Sequence, residues 1–262
     1  MYQDEYIVAL PPNSGRLLRG RGASAAHLAY RVGRGPRLLR LGEAGDLRGG
    51  LMVVGQGDYR RPGDPALFCR EVVQECRSRG FSGAVLDFEQ RFPFWERLAG
   101  RLDEVLARQG LRFFVPESYG QAAPHAGVLI SSALSGGTLS GRLREAGERF
   151  GLDRVTLALE RSAEDFTLPS PTGCGTPLSR EELEHRLDTG RPCVFFSVGL
   201  CARYFTYMDA SGGAHFVLFD DDDTMLRKVE EGRRAGVRRF FLPHTEARLL
   251  DRLAIDAGPR RG

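Results

Sequence analysis

The chain has 262 residues but one lysine, Lys228, and one tryptophan, Trp95. The other basic residues are arginines, and 37 basic side chains face 34 acidic ones for a net charge of +3. A nucleic-acid binder usually concentrates a basic patch. Here the arginines of 16–21 and 31–40 are interleaved with Gly and Leu, so no nucleic-acid partner is expected, and the lysine deficit points to coding bias rather than phosphate recognition. Cysteines number five, an odd count, and no two have C-x-x-C spacing, which argues against a disulfide framework or a zinc site. A reducing compartment is expected. No apolar run approaches the roughly 18 residues of a membrane span. No G-x-G-x-x-G or Walker loop follows a strand, so a dinucleotide or nucleoside triphosphate cofactor is not implied; no cofactor or metal is expected. The opening "MYQDEYIVALPP" lacks a basic n-region and a long apolar core, and predicts no signal peptide, hence a cytoplasmic location.

What is present is ordinary globular composition, 42% hydrophobic and 27% charged. Short apolar runs alternate with amphipathic segments. "YIVAL" (6–10), "GLMVVGQG" (50–57), "GAVLDFE" (83–89), "LRFFVPESY" (111–119), "GVLISSAL" (127–134), "RVTLALE" (154–160) and "VRRFFLP" (237–243) read as buried strands. "AHLAYRVG" and "RLLRL" read as strands or a hairpin around "GRGP". Between strands, "DPALFCREVVQECRSRG" predicts a helix with Asp64 as N-cap, Pro65 at the first position and Gly80 at its end. Cys69 and Cys76, seven apart, would share its buried face. A helix with Trp95, Leu98, Leu102, Val105 and Leu106 on one stripe follows the third of these runs. Ser179 with Glu182 makes a capping box. Repeated strand–helix units favour a parallel sheet, and about eight strands fit an α/β fold of the (β/α)₈ TIM type. The single domain would have its core over about residues 6–253. The β-rich run around "DASGG" predicts a small insertion at about 193–219.

Strand alternation singles out "GAVLDFE". Val85, Asp87 and Glu89 share one parity and Ala84, Leu86 and Phe88 the other. The second set suits a helix-facing layer. Asp87 and Glu89 then face inward at the C-terminal mouth, where barrel active sites lie. An acid partly desolvated there can have a raised pKa and donate a proton. The plain alternative is a strand's polar exit, because Asp-x-Glu is a weak pattern.

"GFSGAVLDFE" resembles the strand-4 signature of glycoside hydrolase family 18, D-G-x-x-D-x-D-x-E. "RVTLALERSAEDFTLP" and "YFTYMDASGGAHFVLFDDDDTMLRKVEEGRRAGVRRFFL" resemble the end of its spore-associated, cortex-lytic members: a tyrosine-rich hairpin, a His-x-x-x-x-Asp-Asp run, a helix with a lysine and a last barrel strand. The resemblance implies a retaining hydrolase of β-linked N-acetylglucosamine glycans (peptidoglycan of the spore cortex, or chitin) in which the substrate's acetamido group is the nucleophile. It makes Glu89 the general acid/base and Asp87 the acetamido partner. It also marks departures. Ser82 and Val85 replace two aspartates, "ISSALS" (130–135) lacks the strand-6 tyrosine and aspartate, and Phe240 or Phe241 stands where the last strand carries a tryptophan. A hydrolase and a former hydrolase kept as a glycan-binding or spore-assembly protein both fit this pattern.

Other candidates are weaker. Glu117 and Tyr119, after the next strand, could line the same mouth. Glu160 and Asp165 follow a later strand. Tyr204, Tyr207 and His215 lie on the hairpin, where aromatic rings can stack on sugars. "DDDD" (220–223) could suggest a hard cation, but it opens a helix, and capping is the favoured reading. Expected partners are therefore a glycan substrate or ligand, with no nucleic acid and no membrane; a spore layer is an alternative location.

Overall fold

A computed structural model describes residues 4–42, 47–57, 63–170 and 173–256. The chain divides into two compact units, Met1–Ile130, Ala146–Ala158 and Gly236–Gly262 in one, Ser131–Glu145 and Leu159–Ala235 in the other.

The first unit is built on a closed barrel. In chain order the elements are β1 (Glu5–Leu10), β2 (Ser24–Gly33), β3 (Arg37–Arg40), β4 (Leu51–Gly55), α1 (Ala66–Arg79), β5 (Gly83–Asp87), α2 (Pro93–Arg108), β6 (Arg112–Pro116), β7 (Gly127–Ser131), α3 (Leu139–Phe150) and β8 (Val155–Ala158). The second unit contributes β9 (Ala163–Leu168), β10 (Thr176–Pro177), α4 (Arg180–Gly190), β11 (Phe195–Ser197), β12 (Ala202–Met208), β13 (Ala214–Phe219) and α5 (Asp222–Arg234); the chain ends on β14 (Arg239–Pro243) and α6 (Leu249–Asp256). Strand order is β1-β14-β8-β7-β6-β5-β4-β2, and β2 pairs with β1 to close the ring. This is an eight-stranded parallel TIM-type barrel, with β3 hairpin-paired to β2 outside it. "GAVLD" is the fourth barrel strand.

Strand alternation sorts the core into two layers. Inside the barrel Ile7, Ala26, Leu51, Val53, Val85 and Phe114 pack together, with Leu28, Leu129 and Phe241 against them. Outside it Ala84, Leu86 and Phe88 pack with Phe68, Val72, Trp95, Leu98 and Leu102 of α1 and α2. Fully burying such a side chain contributes about 1.5–3 kcal/mol. Cys69 and Cys76 lie in the same outer layer, and burial pushes their thiol pKa values up to about 12. The bottom of the barrel is charged: Glu5 accepts two hydrogen bonds from Arg112, at 2.6 and 2.8 Å, and the Arg112 and Arg239 guanidinium groups flank the Phe114 ring.

Helix signals read from sequence hold with small shifts. Helix α1 begins one residue later than expected, with Pro65 at the N-cap, while the Asp64 carboxylate still accepts from the Ala66 N–H. Gly80 closes the helix in the left-handed region. Ser179 and Glu182 form the capping box of α4.

The helical layer is sparser than a full (β/α)₈ repeat. Among the described residues, β1 is followed by a short 3₁₀ turn, β2 by β3, and β6 by the 3₁₀ turn Glu117–Tyr119. After β6, Tyr119, Ala123 and Ala126 bury themselves where a helix would pack. A loop in that position must satisfy its carbonyls. Arg154 does so, donating to Gly120, Ala123 and Ala126 at 2.7–2.9 Å.

In the second unit the strands form an antiparallel sheet, β10-β9-β13-β12-β11. The β-rich region is thus wider than 193–219, because β9 and β10 join it. Leu183 and Leu187 of α4 pack on one face, against Phe205, Val217 and Phe219. The other face carries Phe166, Ala202 and Leu218 with Tyr204 and Phe216. No described helix is long and apolar enough to cross a membrane.

Candidate active site

The site begins at Gly83. Its φ is +155°, and a Cβ there would lie 1.9 Å from the Arg112 carbonyl oxygen, so no side chain fits. Strand β5 then runs parallel between β4 and β6. Val85 fills the barrel interior, directly below Asp87, and Gly55 stands opposite Asp87 in the register. No second carboxylate of β5 lies inward of Asp87.

Asp87 and Glu89 are both solvent-accessible at the C-terminal end of β5, whereas Phe88 between them is buried against Trp95 and Tyr119, with ring centroids 5.0 and 5.7 Å away. The alternation read from sequence is the one observed. Asp87 touches solvent yet is surrounded by protein atoms. Desolvation raises its carboxyl pKa, and the negative charge of Glu89 raises it further.

Beyond Glu89 the chain is held at Gln90. Its N–H donates to Gln56 Oε1 at 3.0 Å, and its carbonyl accepts from Gln56 Nε2 at 2.9 Å and from the Tyr119 hydroxyl. This corrects the sequence reading of Tyr119. It is fully buried in the helix-facing layer, because the loop after β6 replaces a helix there, and its hydroxyl serves the backbone. Gln56 carries no sequence signal of such a role beyond its place just after the neighbouring strand. Glu117 is half-buried after β6, with its carboxylate 3.7 Å from Arg149 of α3. Phe241 faces the barrel interior and packs against its core, while Phe240 points outward onto Tyr6. Of the two phenylalanines only Phe241 can serve as a floor.

In the second unit Tyr204 and Tyr207 lie on opposite faces of the sheet. Tyr204 is stacked between Phe195 and Phe216, at 5.5 and 5.3 Å. Tyr207 lies over His215 at 4.6 Å and donates to Asp165 at 2.8 Å, so its hydroxyl is engaged within the sheet. Asp165 also receives Arg186 and, at 2.9 Å, His215, whose other ring nitrogen is 3.3 Å from Asp209. Burial alone would raise the Asp165 pKa; the hydrogen bonds from His215, Tyr207 and Arg186 outweigh it and hold the carboxyl below its usual range. Bonding to Asp165 raises the His215 pKa against a smaller opposing effect of burial. The Glu160 carboxylate accepts from Ser131 at 2.6 Å. Of the four aspartates, Asp221 caps α5 with Thr224, as expected, but Asp220 turns inward and pairs with buried Lys228 at 2.7 Å.

No family model and no curated protein matches the chain by sequence. Solved structures do match it by fold. The chitinase from Chromobacterium violaceum ATCC 12472 superposes with a TM-score of 0.68 at 14% identity, over 98% of this chain and 100% of that one. The spore cortex-lytic enzyme SleL of Bacillus megaterium QM B1551 gives 0.66 at 13% identity, over 95% of this chain and 73% of that one. The GH18 chitinase from Cycas revoluta, solved in complex with (GlcNAc)3, gives 0.60 at 13% identity, over 96% and 99%. At such identities the likeness is one of fold: this chain has the TIM-type barrel seen in chitinases and spore cortex-lytic enzymes.

Proposed function

We propose that the protein is a glycoside hydrolase acting on β-linked glycans that contain N-acetylglucosamine, with retention of configuration at the anomeric carbon. One observation carries the reading: Asp87 and Glu89, two residues apart, are both solvent-accessible at the mouth of the fourth barrel strand, with Phe88 between them buried on the other face. The barrel's likeness to chitinases and to a cortex-lytic enzyme supports the substrate class.

In this reading protonated Glu89 delivers its proton to the glycosidic oxygen as that bond breaks. The acetamido oxygen of the sugar attacks the anomeric carbon, so the protein needs no nucleophile of its own. Asp87 holds the acetamido N–H and stabilises the positive charge that develops on the ring. Glu89, now a carboxylate, takes a proton from the water that opens the intermediate. Phe241 forms the apolar floor. The valine at 85 leaves Asp87 without a proton-sharing partner below it. Desolvation and Glu89 are then what set its titration.

Turnover of chitooligosaccharides and of spore-cortex fragments, followed by product anomer analysis, tests the proposal. Glu89→Gln should reduce the rate at least ~100-fold, the usual range for a lost general acid. If wild type and Glu89→Gln release equally little while both bind glycan, the chain is a glycan-binding protein and the hydrolase reading falls.

A further inference from the structure

Glu89 lies two residues beyond the end of β5, where the sheet no longer holds the backbone. On the β4 side the register ends at Gly55 with Asp87; on the β6 side it ends earlier, at Val85 with Phe114. A general acid must nonetheless be held to a fraction of an ångström. Side chains from just beyond the two flanking strands extend the ladder instead. The Gln56 primary amide pairs with the backbone of Gln90 in both directions, accepting from its N–H at 3.0 Å and donating to its carbonyl at 2.9 Å. From the opposite side Tyr119 donates its hydroxyl to the same Gln90 carbonyl. On the near side of Glu89, the buried Phe88 ring anchors the chain. The residue after Gln56, Gly57, has a φ of +65°, and a Cβ there would come 2.0 Å from the Val32 carbonyl oxygen, so the backbone passes close to β2 at this point. Only a group with both a donor and an acceptor can make this pairing. Glutamine has them; glutamate, ionised, has no donor.

We infer that Gln56 is a positioning residue for Glu89, acting through the Gln90 peptide, with Tyr119 as a second strut. The inference rests on the reading of Glu89 as the proton donor. Gln56 touches no substrate in this role. Its loss should therefore lower kcat and leave KM nearly unchanged.

The test compares wild type with Gln56→Ala, Gln56→Glu and Tyr119→Phe on chitooligosaccharides, alongside NMR of the same proteins without glycan. Gln56→Ala should cost ~10- to 100-fold in kcat with KM within about twofold, the scale of a small misplacement of a catalytic group. Gln56→Glu should fall in the same direction. In a Glu89→Gln background Gln56→Ala should cost nothing further, because both act through one group. In the NMR arm Gln56→Ala should speed exchange of the Gln90 amide at least ~10-fold and move the chemical shift of the Glu89 carboxyl carbon. Tyr119→Phe should leave that amide protected. Unchanged Gln90 exchange and an unchanged Glu89 carboxyl shift in Gln56→Ala overturn the inference, whether or not the enzyme turns over. Absence of any Glu89-dependent turnover overturns the hydrolase reading by itself, and the NMR arm then decides the clamp separately.

Discussion

The chain's one lysine makes a sharp experiment. Lys228 Nζ lies 2.7 Å from Asp220 Oδ2, and the two side chains are 1% and 0% exposed. Asp220 Oδ2 also accepts from the Ser162 N–H at 2.9 Å and its hydroxyl at 2.8 Å, and Oδ1 accepts from Thr224 at 2.9 Å. Replacing Lys228 by methionine keeps the apolar stem and removes the charge, leaving a carboxylate buried without its cation. Breaking such a pair typically costs ~3–5 kcal/mol. The three remaining hydrogen bonds place the expected loss at the lower end, ~3 kcal/mol, or a fall of roughly 6–12 °C in Tm at ~2–4 °C per kcal/mol. Adding Asp220→Asn removes the stranded charge and keeps hydrogen-bonding capacity, so the double variant should recover at least half of the loss. Urea denaturation followed by circular dichroism reads these differences. An amine-selective reagent adds a second readout, since Lys228 is the one ε-amine and should react only when this region opens. Destabilisation below ~1 kcal/mol, or native-state labelling of Lys228 at the rate of an exposed amine, would refute the reasoning.

Two predictions concern pH. The folded-state pKa of Asp87 is raised, so its ionised form opposes folding at pH values above the unfolded carboxyl pKa. Asp87→Asn should thus raise the Tm at pH 7 and leave it unchanged near pH 3; equal effects at both pH values would contradict this. His215 has a raised folded-state pKa through its bond to Asp165, so its contribution is fully present below about pH 6.5 and is lost as pH rises through the raised value. Stability by urea titration should decline over that window, and His215→Asn should flatten the decline. A wild-type profile with no slope there would remove the Asp165–His215 pair as its source.

Much of the barrel could be read from the chain because its signals are local. Buried strands show as apolar runs, helices carry their own caps, and the parity of "GAVLDFE" alone separates Val85, Asp87 and Glu89 from Ala84, Leu86 and Phe88. Strand β9 is not legible in the sequence, for an equally physical reason. Its sequence "AEDFTL" carries two acids, and the one turned toward α4, Asp165, is satisfied by Arg186, Tyr207 and His215, 21 to 50 residues later. Asp220 looks like one of a capping run in the sequence, because the burial of its partner Lys228 is a property of the packed unit.

What the sequence determined by itself is the pair Asp87 and Glu89 and the side of the strand on which they emerge, since alternation needs no other part of the chain. Tertiary structure decided which residues accompany them. Closing the barrel sets β4 and β6 on either side of β5, and only then do Gln56 and Tyr119, 34 and 29 residues from Gln90, reach the same peptide group. It also buried Tyr119 under a loop that stands in for a helix and turned Phe241, not Phe240, toward the barrel interior. Those outcomes depend on which strands become neighbours, and hydrogen bonds between residues so distant in the chain leave no periodic mark on it.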